Sequence, residues 1–581
     1  MDPSVFYNTS MFLILIFLSN PIQSEIFTAT NDIEKLIDSE INLYNEVDSY
    51  IKKQQDSLAQ MRNLLDNVKS KMEKVGLKGY EQGKHPLAIY FLVKRFLTNW
   101  KAVGNRIQKE ATFKANLICI TLGLPYRLYF LDKFLETFAH YNSTFPNLKD
   151  LEGSANGLSR LQEVYQLNRN DLLDGKINGG SHLGIKFNWF DCFTIGLASY
   201  KGRYFQQSYE WMKIVYNSKD PTISSNQRVR ALNYLASSAY RIDKIQEAIN
   251  LTQTLLKLNP EHKTAKKYLN IYEKRLNTST KEKSTEDLDD DNDDEKDFKQ
   301  IFNSYKELCR GNVNQKTGDD VKLNNQLNCY QDYRNPRLLF SPLNVEVLSL
   351  QPYIVIYHNL LTNSEVVLLK TLASPLLKRA VVVGKPDKEY GEETTYRISK
   401  TAWLDKEDHP AVKRITTLIG DIIGLTSETA EPLQIANYGI GGHYEPHLDF
   451  IESEDKEALS EYTSRIGNRI ATVLIYLSNV EAGGATVFPK AGVRVEPRQG
   501  SAAFWYNMHR NGEGNKLSVH AACPVLIGSK WAANLWFREV GQELRHTLTE
   551  INIASAILDL FNAETHATCI NNNLAKVFEE M

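Results

Sequence analysis

Cysteine is scarce in this chain, with six in 581 residues, at Cys119, Cys192, Cys309, Cys329, Cys523 and Cys569. So few cysteines exclude a fold held together by a disulfide framework. Cys309 and Cys329 flank a polar stretch and are expected to close a local loop. A charge excess is also lacking: 68 Lys and Arg face 70 Asp and Glu, for a net charge of -2. Nothing in that balance calls for nucleic acid or an acidic membrane surface as a partner. Long apolar runs are missing too. Met11–Leu18 is too short to span a bilayer, so no membrane span is expected. With Pro21 and Ser24 after it, the run suits the core of a cleaved signal peptide over residues 1–24, although no Lys or Arg precedes it. Such a signal implies an oxidising compartment, and the sequons at Asn142, Asn250 and Asn277 fit one. The final residues, Phe-Glu-Glu-Met581, are not an endoplasmic reticulum retention signal. A chain kept in that lumen would need something else to hold it.

The length exceeds what one core accommodates, so two to four domains are expected. Residues 30–76 contain no Pro, and no Gly before Gly76. Ile37, Tyr44, Ile51, Leu58, Leu65 and Met72 recur every seven residues. A second series, Val47, Met61, Val68 and Val75, follows three positions later and is broken by Glu40 and Gln54. This is a coiled-coil pattern, whose seam must be buried on a second copy or on another helix. Residues 88–140 also read as helical, giving a helical dimerisation domain over 25–145.

Residues 150–276 read as a helical repeat module. From Val229 to His262, Leu232, Leu235, Ala236, Ala239, Ala248, Leu255 and Pro260 occupy the small and large positions of a tetratricopeptide unit. A looser copy near Asp191 has Ile195, Gly196, Ser208, Met212 and Pro221. Two such hairpins make a concave face, here supplied with Tyr200, Tyr204, Tyr234 and Tyr240. Aromatic rings in a helical groove suit an extended, proline-rich peptide, whose polyproline II form presents flat apolar faces.

The acidic run from Lys281 to Asp297 reads as a disordered linker, assigned to 277–300. It lacks the glycine turn and spaced ligands of an EF-hand loop. A connecting region, 301–350, follows. Beyond it the pattern turns to short β runs, Tyr353–Tyr357, Ile470–Tyr476, Ala502–Tyr506 and Trp531–Phe537, as in a sandwich or barrel. One helix is expected at Ser364–Ala373. The chain is therefore α+β and multidomain.

The chemistry concentrates in this last part. His447-Leu-Asp449 places an imidazole and a carboxylate two residues apart, on one face of a strand. His520 offers a third ligand. Two histidines and one carboxylate form the facial triad of non-haem Fe(II) oxygenases, which leaves positions open for a keto acid and O₂. Lys530, ten residues after His520, can hold the far carboxylate of 2-oxoglutarate as a point charge. Zinc would also accept His and Asp, but does not explain Lys530. His443, between Gly-Gly and Pro446, reads as a local or rim residue.

These stretches resemble the catalytic domain of the collagen prolyl 4-hydroxylase α subunits. The resemblance is carried by Tyr438–Phe450, Gly483–Pro489, Phe504–Asn507, His520–Pro524, Lys530-Trp531, Arg397–Trp403 and the Cys309-Arg-Gly stretch with Cys329. It extends from about residue 25 to about 545, and implies a double-stranded β-helix, or jelly roll, over 351–545. It further implies Fe(II) on His447, Asp449 and His520, and 2-oxoglutarate on Lys530 with Tyr438 and Thr486. Arg469 and Tyr444 would face the substrate proline, and Tyr200, Tyr234 and Tyr240 would line the peptide groove. The activity implied is hydroxylation at C4 of proline in X-Pro-Gly sequences, coupled to decarboxylation of 2-oxoglutarate to succinate and CO₂. L-Ascorbate would rescue oxidised iron. Protein disulfide isomerase would be the β subunit of an α₂β₂ tetramer in the endoplasmic reticulum lumen.

The sequence departs from the family at three places. The family has a cysteine near Arg545 to pair with the one at position 523; here Cys569 would substitute, or Cys523 would be free. Phe205 stands where a tyrosine is expected, and Ser237 where an aromatic ring is expected. Residues 546–581 extend beyond the resemblance. The alternatives are a hydroxylase of another secreted peptide and a peptide-binding subunit without catalysis.

Overall fold

The computed structural model describes residues 30–53, 59–75, 83–108, 136–141, 144–177, 183–281, 293–312, 327–333, 335–380, 396–451 and 466–542. The expected signal peptide, Asn142, residues 282–292 of the expected linker, Cys119, Cys569 and the extension 546–581 lie outside them. The chain divides into two compact units, Met1–Leu288 and Asp289–Met581. Among the described residues no helix is long and apolar enough to cross a membrane.

The first unit opens with α1 (Thr30–Lys53), α2 (Ala59–Val75) and α3 (Pro86–Arg95). Of the heptad seam, Ile37 of α1 and Leu65 and Val68 of α2 are buried within the chain, and Ile33, Leu36 and Leu43 beside it on α1 are buried too. Glu40, which interrupts the apolar series, is 1% exposed and receives two donors of Arg95, Nε at 2.5 Å and Nη2 at 2.8 Å. The Trp100 indole donates to the same carboxylate at 3.4 Å. The polar break in the seam is thus matched to a partner on the next helices. Removing one side of a buried ion pair leaves the other charge desolvated. Glu40→Ala is expected to destabilise this unit by about 3–5 kcal/mol, measured by denaturant unfolding; a change below about 1 kcal/mol would show that the pair is solvated in solution.

The remaining helices are α4 (Leu148–Tyr165), α5 (Arg169–Leu173), α6 (Trp189–Lys201), α7 (Phe205–Asn217), α8 (Ser225–Arg241), α9 (Ile245–Leu258) and α10 (Lys263–Lys281). Their starts are written in the sequence. Asn147, Asn188 and Ser224 form capping boxes with Asp150, Asp191 and Gln227, satisfying backbone donors that the first helical turn leaves open. Asp191 also accepts from Tyr90 at 2.9 Å and Lys94 at 2.5 Å, tying α3 to the repeat helices.

The second unit opens with a helix, α11 (Asp293–Arg310). This corrects the expected linker over 277–300, whose two ends are helical: α10 runs to Lys281, and α11 starts at Asp293. Acidic content misled the reading, because α11 is amphipathic and buries Tyr305, Leu308 and Cys309. Strands β1 (Cys329–Asp332), β2 (Leu343–Leu350) and β3 (Tyr353–His358) follow. The boundary at 351 is therefore also corrected. β2 alternates buried and less buried residues, with Leu343, Val345 and Val347 inward, the period of a strand with one covered face. The helix expected at Ser364–Ala373 is present as α12 (Asn363–Ala373), and α13 (Pro410–Ile423) is the other long helix of this unit after α11.

The other strands are β4 (Lys378–Arg379), β5 (Lys400–Leu404), β6 (Leu433–Tyr438), β7 (Tyr444–His447), β8 (Arg469–Tyr476), β9 (Ala482–Gly483), β10 (Thr486–Phe488), β11 (Val493–Val495), β12 (Ala502–Tyr506), β13 (His520–Ala522), β14 (Val525–Ile527) and β15 (Lys530–Arg538). A nine-stranded antiparallel sheet has the order β1-β2-β3-β12-β8-β15-β6-β5-β4, and a four-stranded sheet the order β11-β10-β13-β7. This is the jelly roll. Strand alternation sorts the large sheet's side chains. Val473, Ile475, Phe504, Ala533 and Leu535 enter the core that includes residues of α12 and α13. Leu474, Tyr476, Trp505 and Ala532 belong to a second core with Phe488, Val493 and Val495 of the small sheet.

One disulfide is present among the described residues, and it is not the expected Cys309–Cys329 loop. Cys309 at the end of α11 bonds Cys523 just after β13, with Cα atoms 5.6 Å apart. Cys329, at the edge of the large sheet, is exposed and unpaired. Cys523 is thus neither free nor paired with Cys569. The packing of α11 explains the choice. Ser304 Oγ donates to the Pro489 carbonyl at 2.7 Å, and Arg494 Nη1 to the carbonyls of Leu308 and Cys309 at 2.5 and 2.7 Å. These bonds bring the helix end to the small sheet. Non-reducing peptide mapping is expected to recover Cys309 linked to Cys523, and Cys309→Ser to cost about 2–4 kcal/mol. Recovery of Cys309 linked to Cys329 would contradict this arrangement.

Candidate active site

His447 ends β7, and His520 begins β13 directly opposite it in the antiparallel register. Asp449 lies two residues beyond His447, just past the strand end rather than on it. The three side chains offer ligand atoms that all lie within 4.8 Å of one another. Asp449 Oδ1 is 3.8 Å from His447 Nε2, and Oδ2 is 3.5 Å from His520 Nε2.

The surroundings prepare each group to bind a cation. His447 Nδ1 lies 2.7 Å from the Glu445 carbonyl, and His520 Nδ1 lies 3.0 Å from the Ser518 carbonyl. A carbonyl only accepts, so both Nδ1 atoms carry the proton and both Nε2 lone pairs face the carboxylate. Burial, reinforced by His520, drives the His447 imidazole down to about 3, so it is neutral at working pH. Burial opposes ionisation of Asp449, yet His520 and His447 beside it hold its carboxyl down at about 2. For His447 and Asp449, a neutral imidazole and an ionised carboxylate are the forms in which such side chains bind a divalent metal. Thr472 Oγ1 donates to Asp449 Oδ2 at 2.8 Å, and Asn507 Nδ2 donates to Thr472 at 2.8 Å. Tyr444 stacks on the His447 ring at 3.5 Å between centroids. The donor set therefore fits Fe(II).

Thr472, Leu474 and Tyr476 share one face of β8, and Lys530, Ala532, Asn534 and Trp536 share one face of β15. Leu474 from the first face, all four residues of the second and Tyr438 of β6 line a cleft between the sheets. Lys530 stands directly opposite Tyr438 in the register. It is 1% exposed, and its Nζ donates to Thr486 Oγ1 at 3.3 Å. Tyr476 OH donates to the same hydroxyl at 3.0 Å. No carboxylate forms an ion pair with Lys530 among the described residues. Burial accordingly pulls its ammonium down to about 7, against a partly opposing effect of Glu496. A buried cation beside a hydroxyl, with rings at its flanks, is built to receive an anion. Gly483 and Gly484 both have positive φ, 76° and 71°, and a Cβ on Gly484 would lie 3.6 Å from the Lys530 stem. The turn before β10 thereby passes close to the lysine.

Several expectations need revision. Arg469, expected to face the substrate proline, carries an ion pair that the expectation did not include. It sits at the start of β8, where Glu431 takes its Nε at 2.6 Å and its Nη2 at 2.8 Å, and its guanidinium lies 3.9 Å from the Trp536 ring centre. The cleft wall there is formed by Trp536 and by Arg397, whose guanidinium lies 4.9 Å from the Tyr444 ring centre. His443 is not at the rim: it is 2% exposed and exchanges backbone bonds with Ile398. Tyr476, Thr472, Asn507, Arg397 and Trp536 were missed by sequence reasoning. The signal for three of them was alternation, since Thr472, Tyr476 and Trp536 fall in phase with cleft-facing neighbours on their strands.

In the first unit, aromatic rings of α6, α8 and α10 meet. Tyr200 and Tyr234 come together with ring centres 5.2 Å apart, and Phe205 packs on Tyr200 at 5.5 Å. Tyr240 instead stacks on Tyr272 of α10 at 4.3 Å. Tyr204 is the residue before α7. Ser237, small where a ring was expected, bonds the Tyr200 hydroxyl at 2.6 Å.

A jelly roll with a His-x-Asp…His cluster and a buried cleft lysine is the architecture of a 2-oxoglutarate–Fe(II) oxygenase. Three family models match in order: the N-terminal region of the prolyl 4-hydroxylase alpha-subunit at residues 29–179, the prolyl 4-hydroxylase peptide-substrate-binding domain at 190–278, and the 2OG-Fe(II) oxygenase superfamily at 433–538. The chain is 35% identical over 539 residues to prolyl 4-hydroxylase subunit alpha-2 of Caenorhabditis elegans, covering 91% of this chain and 94% of that one. It is 35% identical over 546 residues to subunit alpha-1 of Homo sapiens, covering 90% and 96%. A solved viral collagen prolyl hydroxylase from Paramecium Bursaria Chlorella virus-1, in complex with 2OG, aligns with 32% of this chain and 96% of its own at 24% identity, with a TM-score of 0.26. The chain belongs to the prolyl 4-hydroxylase alpha-subunit family. It is a dioxygenase that uses Fe(II), 2-oxoglutarate and O₂.

Proposed function

We propose that this chain hydroxylates proline at C4 in collagen-like X-Pro-Gly sequences, with Fe(II) held by His447, Asp449 and His520. The observation that carries the reading is the buried triad with Lys530 in the same cleft. Fe(II) with 2-oxoglutarate and O₂ supplies the oxidising chemistry, the keto acid leaving as succinate and CO₂ while proline C4 gains one oxygen. The chain's own residues bind, orient and exclude water. Lys530 and Thr486 receive the distal carboxylate, and Tyr438 flanks the lysine. Thr472 and Asn507 hold Asp449 in place. Tyr444, Arg397 and Trp536 form the wall where a proline ring would enter, with Arg469 and Glu431 buttressing Trp536. Tyr200, Tyr234 and Tyr240 serve a groove that captures proline-rich chain and raises its effective concentration.

The expected setting is the endoplasmic reticulum lumen, supported by the apolar N-terminal run and by a disulfide that needs an oxidising compartment. The relatives are named as subunits, which supports assembly with a further chain; protein disulfide isomerase as that chain, in an α₂β₂ tetramer, is what the family resemblance implies. L-Ascorbate is the expected reductant for iron oxidised in uncoupled turnovers. The test is mass spectrometry of Pro-Pro-Gly repeat peptides, beside a proline-rich peptide lacking X-Pro-Gly, after turnover by the purified complex. 4-Hydroxyproline confined to prolines before glycine is expected. Modification of only the second peptide would move the substrate class away from collagen-like chains.

A further inference from the structure

Four rings form a continuous run across the peptide module. Phe193 meets Tyr234 at 6.4 Å, Tyr234 meets Tyr200 at 5.2 Å, and Tyr200 meets Phe205 at 5.5 Å. A guanidinium lies over each terminal ring: Arg230 over Phe193 at 5.3 Å, and Arg241 over Phe205 at 5.6 Å. Both arginines are exposed, and among the described residues neither forms an ion pair. Asp243, the acid nearest in sequence to Arg241, is paired with Arg275 at 3.6 Å. Glu247 is engaged by Tyr209 at 2.7 Å and Lys213 at 3.7 Å.

Arg230, Tyr234, Ser237 and Arg241 follow a four-three-four spacing and therefore share one face of α8. At the helical rise, the two arginines stand about 16 Å apart along that face. A polyproline II chain covers this distance in about five residues. Ser237 keeps the middle of the stripe low: it bonds the Tyr200 hydroxyl at 2.6 Å and also interacts with the Tyr272 hydroxyl. Stacking on a ring holds a guanidinium flat while leaving its N–H edge free for a carboxylate.

We infer that this groove selects proline-rich chains carrying an acidic side chain at each end of the bound stretch, about five residues apart. The rings take the prolines, and Arg230 and Arg241 take the carboxylates. The inference rests on the peptide-groove reading above and adds a charge requirement to it.

The test is equilibrium binding by fluorescence anisotropy, with the full-length chain in its subunit complex. The probes are labelled peptides of equal length: a Pro-Pro-Gly host, the host with Glu at two positions five residues apart, and the host with Lys at the same positions. The Glu peptide is expected to bind about fivefold tighter than the host at low salt. The difference should shrink as salt rises, and the Lys peptide should bind more weakly than the host. In Arg230→Gln/Arg241→Gln the Glu-to-host ratio should fall to about one, whereas the Arg230→Lys/Arg241→Lys variant should keep part of it. A Glu peptide that gains nothing over a host that binds would overturn the charge inference alone. An unchanged ratio in the Gln variant would do the same. Failure of every peptide to bind would overturn the groove reading with it.

Discussion

Lys530→Met is expected to raise the KM for 2-oxoglutarate by about 100-fold, the cost of leaving a buried carboxylate without its cation. The methionine fills similar volume, and the site of metal binding is untouched, so Fe(II) affinity should stay within a few-fold. The wild-type lysine also makes cosubstrate binding depend on pH in a defined direction. Burial pulls its ammonium down to about 7. Above that pH the empty site holds a neutral amine, and binding a carboxylate requires uptake of a proton. The dissociation constant for 2-oxoglutarate should therefore rise by about tenfold per pH unit above 7, and stay nearly flat just below it. Lys530→Met should abolish that slope. Calorimetric titration at several pH values, with Fe(II) present and O₂ excluded, reads both effects. A wild-type profile that stays flat well above neutral pH would mean that the lysine keeps its proton even before the carboxylate arrives.

The second large effect concerns the triad. His447→Ala or Asp449→Ala removes a ligand and should lower Fe(II) affinity by more than about 100-fold, beyond the range typical of losing a supporting hydrogen bond. Thr472→Val, which deletes only the hydroxyl that donates to Asp449, should fall within about 10- to 100-fold. Its activity should recover at high Fe(II), while His447→Ala should not. The concentration of Fe(II) giving half-maximal succinate release separates the two. Equal losses in both variants would show that Thr472 acts on something other than the carboxylate's position.

The readable parts of this protein were those written in local chemistry. The His-x-Asp spacing, the strand runs and the helix α12 follow from period and residue type, and the repeat module follows from small residues at set intervals. What escaped detection depended on long-range contact. Cys309 finds Cys523 across 214 residues because α11 lies against the small sheet, and no spacing rule encodes that. The acidic run hid an amphipathic helix, since charge count and hydrophobic period gave opposite signals from Asp293 onward. Glu40 looked like a flaw in a coiled coil, yet its partner Arg95 lies on another helix. Arg469 was expected by resemblance to face the substrate proline, and its bond to Glu431, from another part of the chain, had no local signal. Tyr476 and Trp536 could have been found by following strand alternation away from Thr472 and Lys530.

The most direct test of the central claim is the ratio of products in a single reaction. The purified complex would be given Fe(II), 2-oxoglutarate, O₂, ascorbate and a Pro-Pro-Gly repeat peptide, and succinate and 4-hydroxyproline would be counted together. The account predicts that the succinate added by the peptide, above the uncoupled background, equals the 4-hydroxyproline formed, and that both are absent in His447→Ala. Peptide-dependent succinate without matching hydroxyproline, or hydroxyproline that survives loss of His447, would contradict it.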